Sequence, residues 1–139
     1  MKLKIILCAL GTTLLLTPSL ATENSGESLF KAKCTSCHVM TRPSDISTLV
    51  APPAMGVMRH VKMKYGTKDD AVKFIVDYAL NPLESKAVCE SDKIKRFGLM
   101  PSQKGNVSKE ELITIASWMY GNFGNGGQNK GHGKNCKKK

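Results

Sequence analysis

The feature that most constrains this chain is the pentapeptide Cys34-Thr35-Ser36-Cys37-His38. Two thiols three positions apart lie on neighbouring points of one helical face, and an imidazole follows at once. Placed so densely, they point to a chemistry that takes two sulfurs and a nitrogen together. Whatever the chain folds into must be built around that demand.

The surroundings narrow the setting. Lys2 and Lys4 precede an apolar run of 12 residues, Ile5–Leu16, closed by Thr17-Pro18. Ser19 and Ala21 then supply the small residues that a signal peptidase reads, so residues 1–21 are expected to be a cleaved secretory leader. The run is too short for a membrane span, which needs about 20 apolar residues. Cys8 lies inside the run and reads as leader filler. Cleavage leaves 118 of the 139 residues, enough for one domain. The expected location is a bacterial periplasm.

The far end differs in kind. Residues 121–139 are rich in Gly, Asn and Lys, with Phe123 the one large apolar residue and five lysines against no acid. Such a segment buries too little to offset its ordering entropy and is expected to be a disordered basic tail. The mature chain has 19 basic and 11 acidic residues, a net of +8, so residues 22–120 carry only about +3. The high pI is mostly the tail's. The tail is either a solubilising appendage or an electrostatic tether to an acidic partner or a weakly bound anionic membrane. Nucleic acid is not expected to meet an exported protein.

No stretch alternates with the period of a strand, and three segments read as helices, so the fold class is all-α. The first covers about Gly26–Cys37, capped by Ser25 or Asn24 with Glu27 in its first turn. The second covers Lys68–Leu80, with Thr67 as cap, Asp69 and Asp70 at its positive end and Asn81-Pro82 as stop. The third covers Lys109–Tyr120, where Ser108 and Glu111 make a capping box and Gly121 ends the helix. A shorter helical turn is expected near Ser91–Arg96. Two Pro-containing loops, Val50–Gly56 and Phe97–Gly105, separate these helices. Long irregular loops in so small a body make sense if they wrap something.

Three chemistries use a Cys-x-x-Cys pair. A thioredoxin-like dithiol expects a βαβ pattern beside it, and none is present in the sequence. A structural zinc site needs four ligands, usually from a second pair, and Cys89 and Cys136 are too far apart to make one. Covalent haem attachment needs only Cys-x-x-Cys-His. The two sulfurs reach the two vinyl groups along one haem edge, and the adjoining histidine is brought under the iron. The expected cofactor is therefore one covalent haem c, held by Cys34 and Cys37 with His38 as iron ligand.

A second iron ligand is sought among six methionines beyond the leader, at positions 40, 55, 58, 63, 100 and 119. Met119 sits on a helical core stripe, and Met40 is too close to His38 to reach the other ring face. Met100 precedes Pro101 in a Gly-containing loop 62 residues after His38. The proline stiffens that loop, and Met100 is the expected ligand. Met55, Met58, Met63 and His60 are the alternatives; His132 reads as solvated.

In that order, LFKAKCTSCH, APPAMG, GLMPS and IASWMY over about residues 26–120 resemble the class I c-type cytochromes. The resemblance implies three to five helices wrapped round one covalent haem, the first and last crossing. It implies that Phe30 packs on the last helix near Trp118. It also implies that the Pro52 carbonyl accepts a hydrogen bond from the other ring nitrogen of His38. The family usually has glycine where Ala51 stands, and Pro53 is an alternative acceptor position.

Neutral His and Met ligands in an apolar setting favour Fe(II) and leave no position for substrate. The expected function is one-electron transfer in the periplasm, by a monomer rather than by an enzyme. Lys31, Lys33 and Lys104 are candidates for docking acidic redox partners. A haem-bearing subunit of a periplasmic oxidoreductase is the first alternative, and a small-gas binder or sensor, if Met100 is not a ligand, is the second. Cys89 and Cys136 either pair across 47 residues, worth on the order of 4 kcal/mol, or leave a tail thiol free to dimerise. Glu90 and Asp92 read as solvated surface.

Overall fold

The structure is a computed structural model that describes residues 25–88 and 91–124. Among these residues it is all-helical: α1 (Gly26–Lys33), α2 (Ala54–Lys64), α3 (Lys68–Leu80), α4 (Ser91–Phe97) and α5 (Lys109–Asn122), with a 3-10 turn at Glu84–Lys86. The leader, residues 125–139 and the pair Cys89 and Cys136 lie outside the described residues. No described helix is long and apolar enough to cross a membrane.

The helices start where local chemistry supplies caps. Ser25 accepts from the Ser28 amide, and Thr67 accepts from the Asp70 amide. At α5 both halves of the capping box form: Glu111 N–H donates to Ser108 Oγ at 3.1 Å, and Ser108 N–H donates to Glu111 Oε2 at 2.8 Å. Each such cap satisfies amides that the first helical turn leaves open. α5 is the centre of the fold and packs against α1, α3 and α2. Its buried stripe is Leu112, Ile115, Ala116 and Met119.

Three elements differ from expectation. α1 ends at Lys33 rather than Cys37. Thr35 Oγ1 donates to the Lys31 carbonyl at 2.6 Å, a side-chain bond that competes with the helical ladder. The chain then turns, with His38 N–H on the Cys34 carbonyl at 2.8 Å. α2 starts inside the Pro-containing loop expected over Val50–Gly56 and continues through residues for which the sequence predicts no element. Pro53 precedes it without a side-chain cap, but the Ala54 and Met55 amides donate to the carbonyls of Val39 and Met40. The helix is capped by distant backbone. Its buried positions, Ala54, Met58 and Val61, recur at helical spacing.

The third difference is at the C-terminal end. α5 runs past Gly121 to Asn122, and Phe123 is buried. Its ring lies edge-on to Trp118 at 5.0 Å and to Phe30 at 5.7 Å, and its carbonyl accepts from Lys62 Nζ at 2.7 Å. Residues 121–124 therefore belong to the packed body rather than to the tail. Phe30 and Trp118 meet at 5.4 Å, which joins α1 to α5.

That crossing depends on Gly26. A Cβ there would lie 2.2 Å from Trp118 Cβ and 2.8 Å from the Thr114 carbonyl oxygen. Neither is the loose end of a flexible chain, so the helices must separate. Gly26→Ala is expected to lower unfolding stability by about 2–3 kcal/mol, the usual scale of overpacking. Urea titration of the purified protein measures it; an unchanged midpoint contradicts this reading of the crossing.

Candidate functional site

Between the helices lies a cavity of about 260 Å³, and its walls are mostly apolar. The end of α1 and the turn after it bring Phe30, Cys34, Cys37 and His38 to one part of the wall. The segment before α2 adds Val50, Ala51 and Pro52, and α2 adds Val57 and Val61. Phe74, Ile75 and Tyr78 come from α3, and Ile94 and Phe97 from α4. Leu99, Met100 and Pro101 follow in the loop before α5. The two Pro-containing loops thus both face the cavity.

The imidazole of His38 is fixed. Its Nδ1 lies 2.8 Å from the Pro52 carbonyl oxygen. A carbonyl only accepts, so Nδ1 carries the hydrogen, and in the neutral imidazole Nε2 is then the nitrogen with the lone pair. A histidine held through Nδ1 with Nε2 open is arranged as a ligand. Pro52, rather than Pro53, supplies the oxygen.

Cys34 is half-buried and Cys37 exposed. Burial, and then the neighbouring Cys37, push the Cys34 thiol up to about 11. A reactive dithiol needs its nucleophilic thiol well below the ordinary value; this one remains protonated at neutral pH. Among the described residues no group of three or more His, Cys, Asp and Glu stands close enough to hold a metal ion. The dithiol reading loses ground on the state of Cys34.

Met100 is held by the backbone of its own loop. Gly98 has φ +75°, a conformation glycine tolerates, and its N–H caps α4 at the Ile94 carbonyl. Downstream, Ser102 Oγ donates to the Leu80 carbonyl at 2.6 Å and Gln103 N–H to the Ala79 carbonyl at 2.9 Å. The loop is tied on both sides of Met100, to α4 and to the end of α3.

The other candidate ligands lie elsewhere. Met58 is fully buried in the core, Met55 and Met63 are exposed, and none of the three reaches the cavity wall. His60 and Met40 are not on it either. Met119 does reach it, from the buried stripe of α5. Of the lysines, Lys31 pairs with Glu27 at 2.6 Å, Lys33 lines the cavity, and Lys104 is exposed.

Sequence reasoning missed the contribution of α3. Phe74, Ile75, Tyr78 and Ala79 line the cavity, whereas Ala71 and Val76 are buried away from it. The signal was present. Apolar residues beyond a single stripe of a helix mean more than one surface to pack against.

No protein-family profile matches the chain, and no solved structure matches it. A protein of Aquifex aeolicus (strain VF5), described as uncharacterized, is 30% identical over 111 residues, which cover 70% of this chain and 73% of that one. Identity at that level over most of both chains is descent from a common ancestor, and the chain belongs to one family with that Aquifex aeolicus protein.

Proposed function

We propose that the protein is a periplasmic one-electron carrier with a single haem c, folded round that group in the manner of the class I c-type cytochromes. One observation carries the reading: a single apolar cavity has Cys34, Cys37, His38 and Met100 on its walls, with His38 oriented by Pro52. Thiols, an imidazole with Nε2 open and a thioether, set among apolar walls, are the donor set that a covalent haem takes.

Each residue has a distinct task. Cys34 and Cys37 would hold the haem as thioethers, each thiol adding across a vinyl group so that its S–H breaks, a C–S bond forms and the hydrogen goes to the neighbouring vinyl carbon. No oxidant is consumed. His38 offers Nε2 to iron, and Pro52 prevents the ring from turning. Met100 offers a soft, neutral thioether from a loop tied at both ends. When bound, the haem supplies a one-electron iron couple, and neutral donors in apolar surroundings favour its ferrous form. Phe30, Ile75, Ile94 and Phe97 give the cavity apolar walls. His38 and Met100 would both be given to the iron, which would leave no position for a substrate or a gas and favours a carrier over the alternatives.

The test is the intact mass of the chain, expressed with its leader in a host that matures c-type proteins. The expected mass is that of residues 22–139 plus one haem, retained after denaturation. A mass equal to the polypeptide alone contradicts the reading.

A further inference from the structure

The cavity wall is lopsided in charge. Among the described residues two cationic side chains, Lys33 and Lys93, line it, and no carboxylate does. Lys33 is engaged: its Nζ donates to the Asn106 carbonyl at 3.3 Å. Lys93 belongs to α4, where it shares the cavity-facing side with Ile94 and Phe97. The other two basic residues of that helix, Lys95 and Arg96, are exposed, and Arg96 donates to the Ile46 carbonyl in a different loop. α4 buries none of its residues against protein and is not among the helix pairs that pack extensively. Its inner side serves the cavity.

The present partner of Lys93 is its chain neighbour Asp92, at 3.1 Å, with 62% of the Asp92 side chain exposed. An exposed pair of this kind holds an ammonium weakly. An anion presented from the cavity displaces it readily.

We infer that Lys93 binds a carboxylate of the group that fills the cavity, which under the haem reading proposed above is a haem propionate. Thioether formation uses the vinyl groups, so the propionates are the anionic part left for the protein to accommodate. A carboxylate against apolar wall is costly unless it is paired. Lys93 is the cavity-lining cation not already committed to backbone.

The pairing has a redox consequence with a definite sign. An ionised propionate favours Fe(III). A cation beside it offsets that charge and keeps the carboxylate ionised to lower pH. Removing the cation lowers the midpoint potential and raises the propionate pKa. The potential then falls with pH across the window in which the carboxylate titrates.

The test is redox titration of the haem-bearing wild type, Lys93→Gln, Lys93→Arg and Lys68→Gln between pH 5 and 8. Lys68 is the first residue of α3 and is not on the cavity wall, so its variant controls for net charge. For Lys93→Gln the expected shift toward the oxidised form is roughly three- to tenfold in the one-electron equilibrium constant at pH 7. A steeper pH dependence between pH 5 and 7 should accompany it. Lys93→Arg and Lys68→Gln should follow wild type. A Lys93→Gln profile that coincides with Lys68→Gln overturns the assignment and leaves the haem reading standing. A wild-type chain with no covalent haem overturns both.

Discussion

Replacing Cys34 and Cys37 together by alanine is expected to abolish covalent haem and, with it, the cooperative fold. The cavity of about 260 Å³ explains why. At about 24 cal/mol per Å³, an unfilled space of that size costs at most on the order of 6 kcal/mol. Small domains have about 5–15 kcal/mol in all, so a loss of that size takes from about two fifths to all of it. α4 is the most exposed to this effect, because it buries no residue in the described core and two of its apolar residues face the cavity. The loop of Met100 hangs from α4 and α3 and should loosen with it. The variant is expected to retain part of its far-ultraviolet helical signal, lose its near-ultraviolet signal, and melt without a sharp transition. A variant that melts cooperatively at the wild-type temperature contradicts a fold organised by the cofactor.

Met100→Ala should have the second largest effect, and of a different kind. The haem remains attached through Cys34 and Cys37, but the thioether is gone. The reduced variant is expected to bind carbon monoxide, and its potential is expected to fall because a soft neutral donor has been lost. The cost in stability should be about 2–5 kcal/mol, the range for removing a half-buried methionine side chain together with its bond. Met119→Leu is the matched control. Met119 also reaches the cavity, but it belongs to the buried stripe of α5, and its replacement should leave the spectrum unchanged. Carbon monoxide binding by Met119→Leu and not by Met100→Ala reverses the ligand assignment.

Local chemistry made much of this fold readable. α3 and α5 begin where Thr67 and the Ser108–Glu111 box place them, since those caps are made within four residues of sequence. α2 was hidden because its cap is not local. The Val39 and Met40 carbonyls that satisfy its first amides lie 15 residues before Ala54 and Met55. Its basic residues and Gly56 masked a buried stripe of only three positions. Phe123 was hidden by its neighbours. Gly, Asn and Lys around it read as tail, and only the juxtaposition of Phe30 and Trp118 gives its ring a place.

The candidate site was legible to the extent that it depends on short motifs. Cys34, Cys37 and His38 declare themselves by spacing, and Met100 by the proline after it. The acceptor for His38 could be narrowed only to Pro52 or Pro53, because the choice between adjacent carbonyls depends on backbone direction. Lys93 carried no signal in the sequence. Its cavity-facing position follows from how α4 lies, whereas Lys95 and Arg96, two and three residues on, stand outside.

We propose one covalently bound haem, closed on both faces by His38 and Met100. The most direct measurement is the visible absorption spectrum of the periplasmically matured protein, oxidised and reduced, with and without carbon monoxide. The expected result is a c-type haem spectrum, the weak far-red band of a Met–Fe(III) bond, and no change on adding carbon monoxide to the reduced protein. A spectrum that shifts with carbon monoxide contradicts closure by Met100, and a colourless protein contradicts the account as a whole.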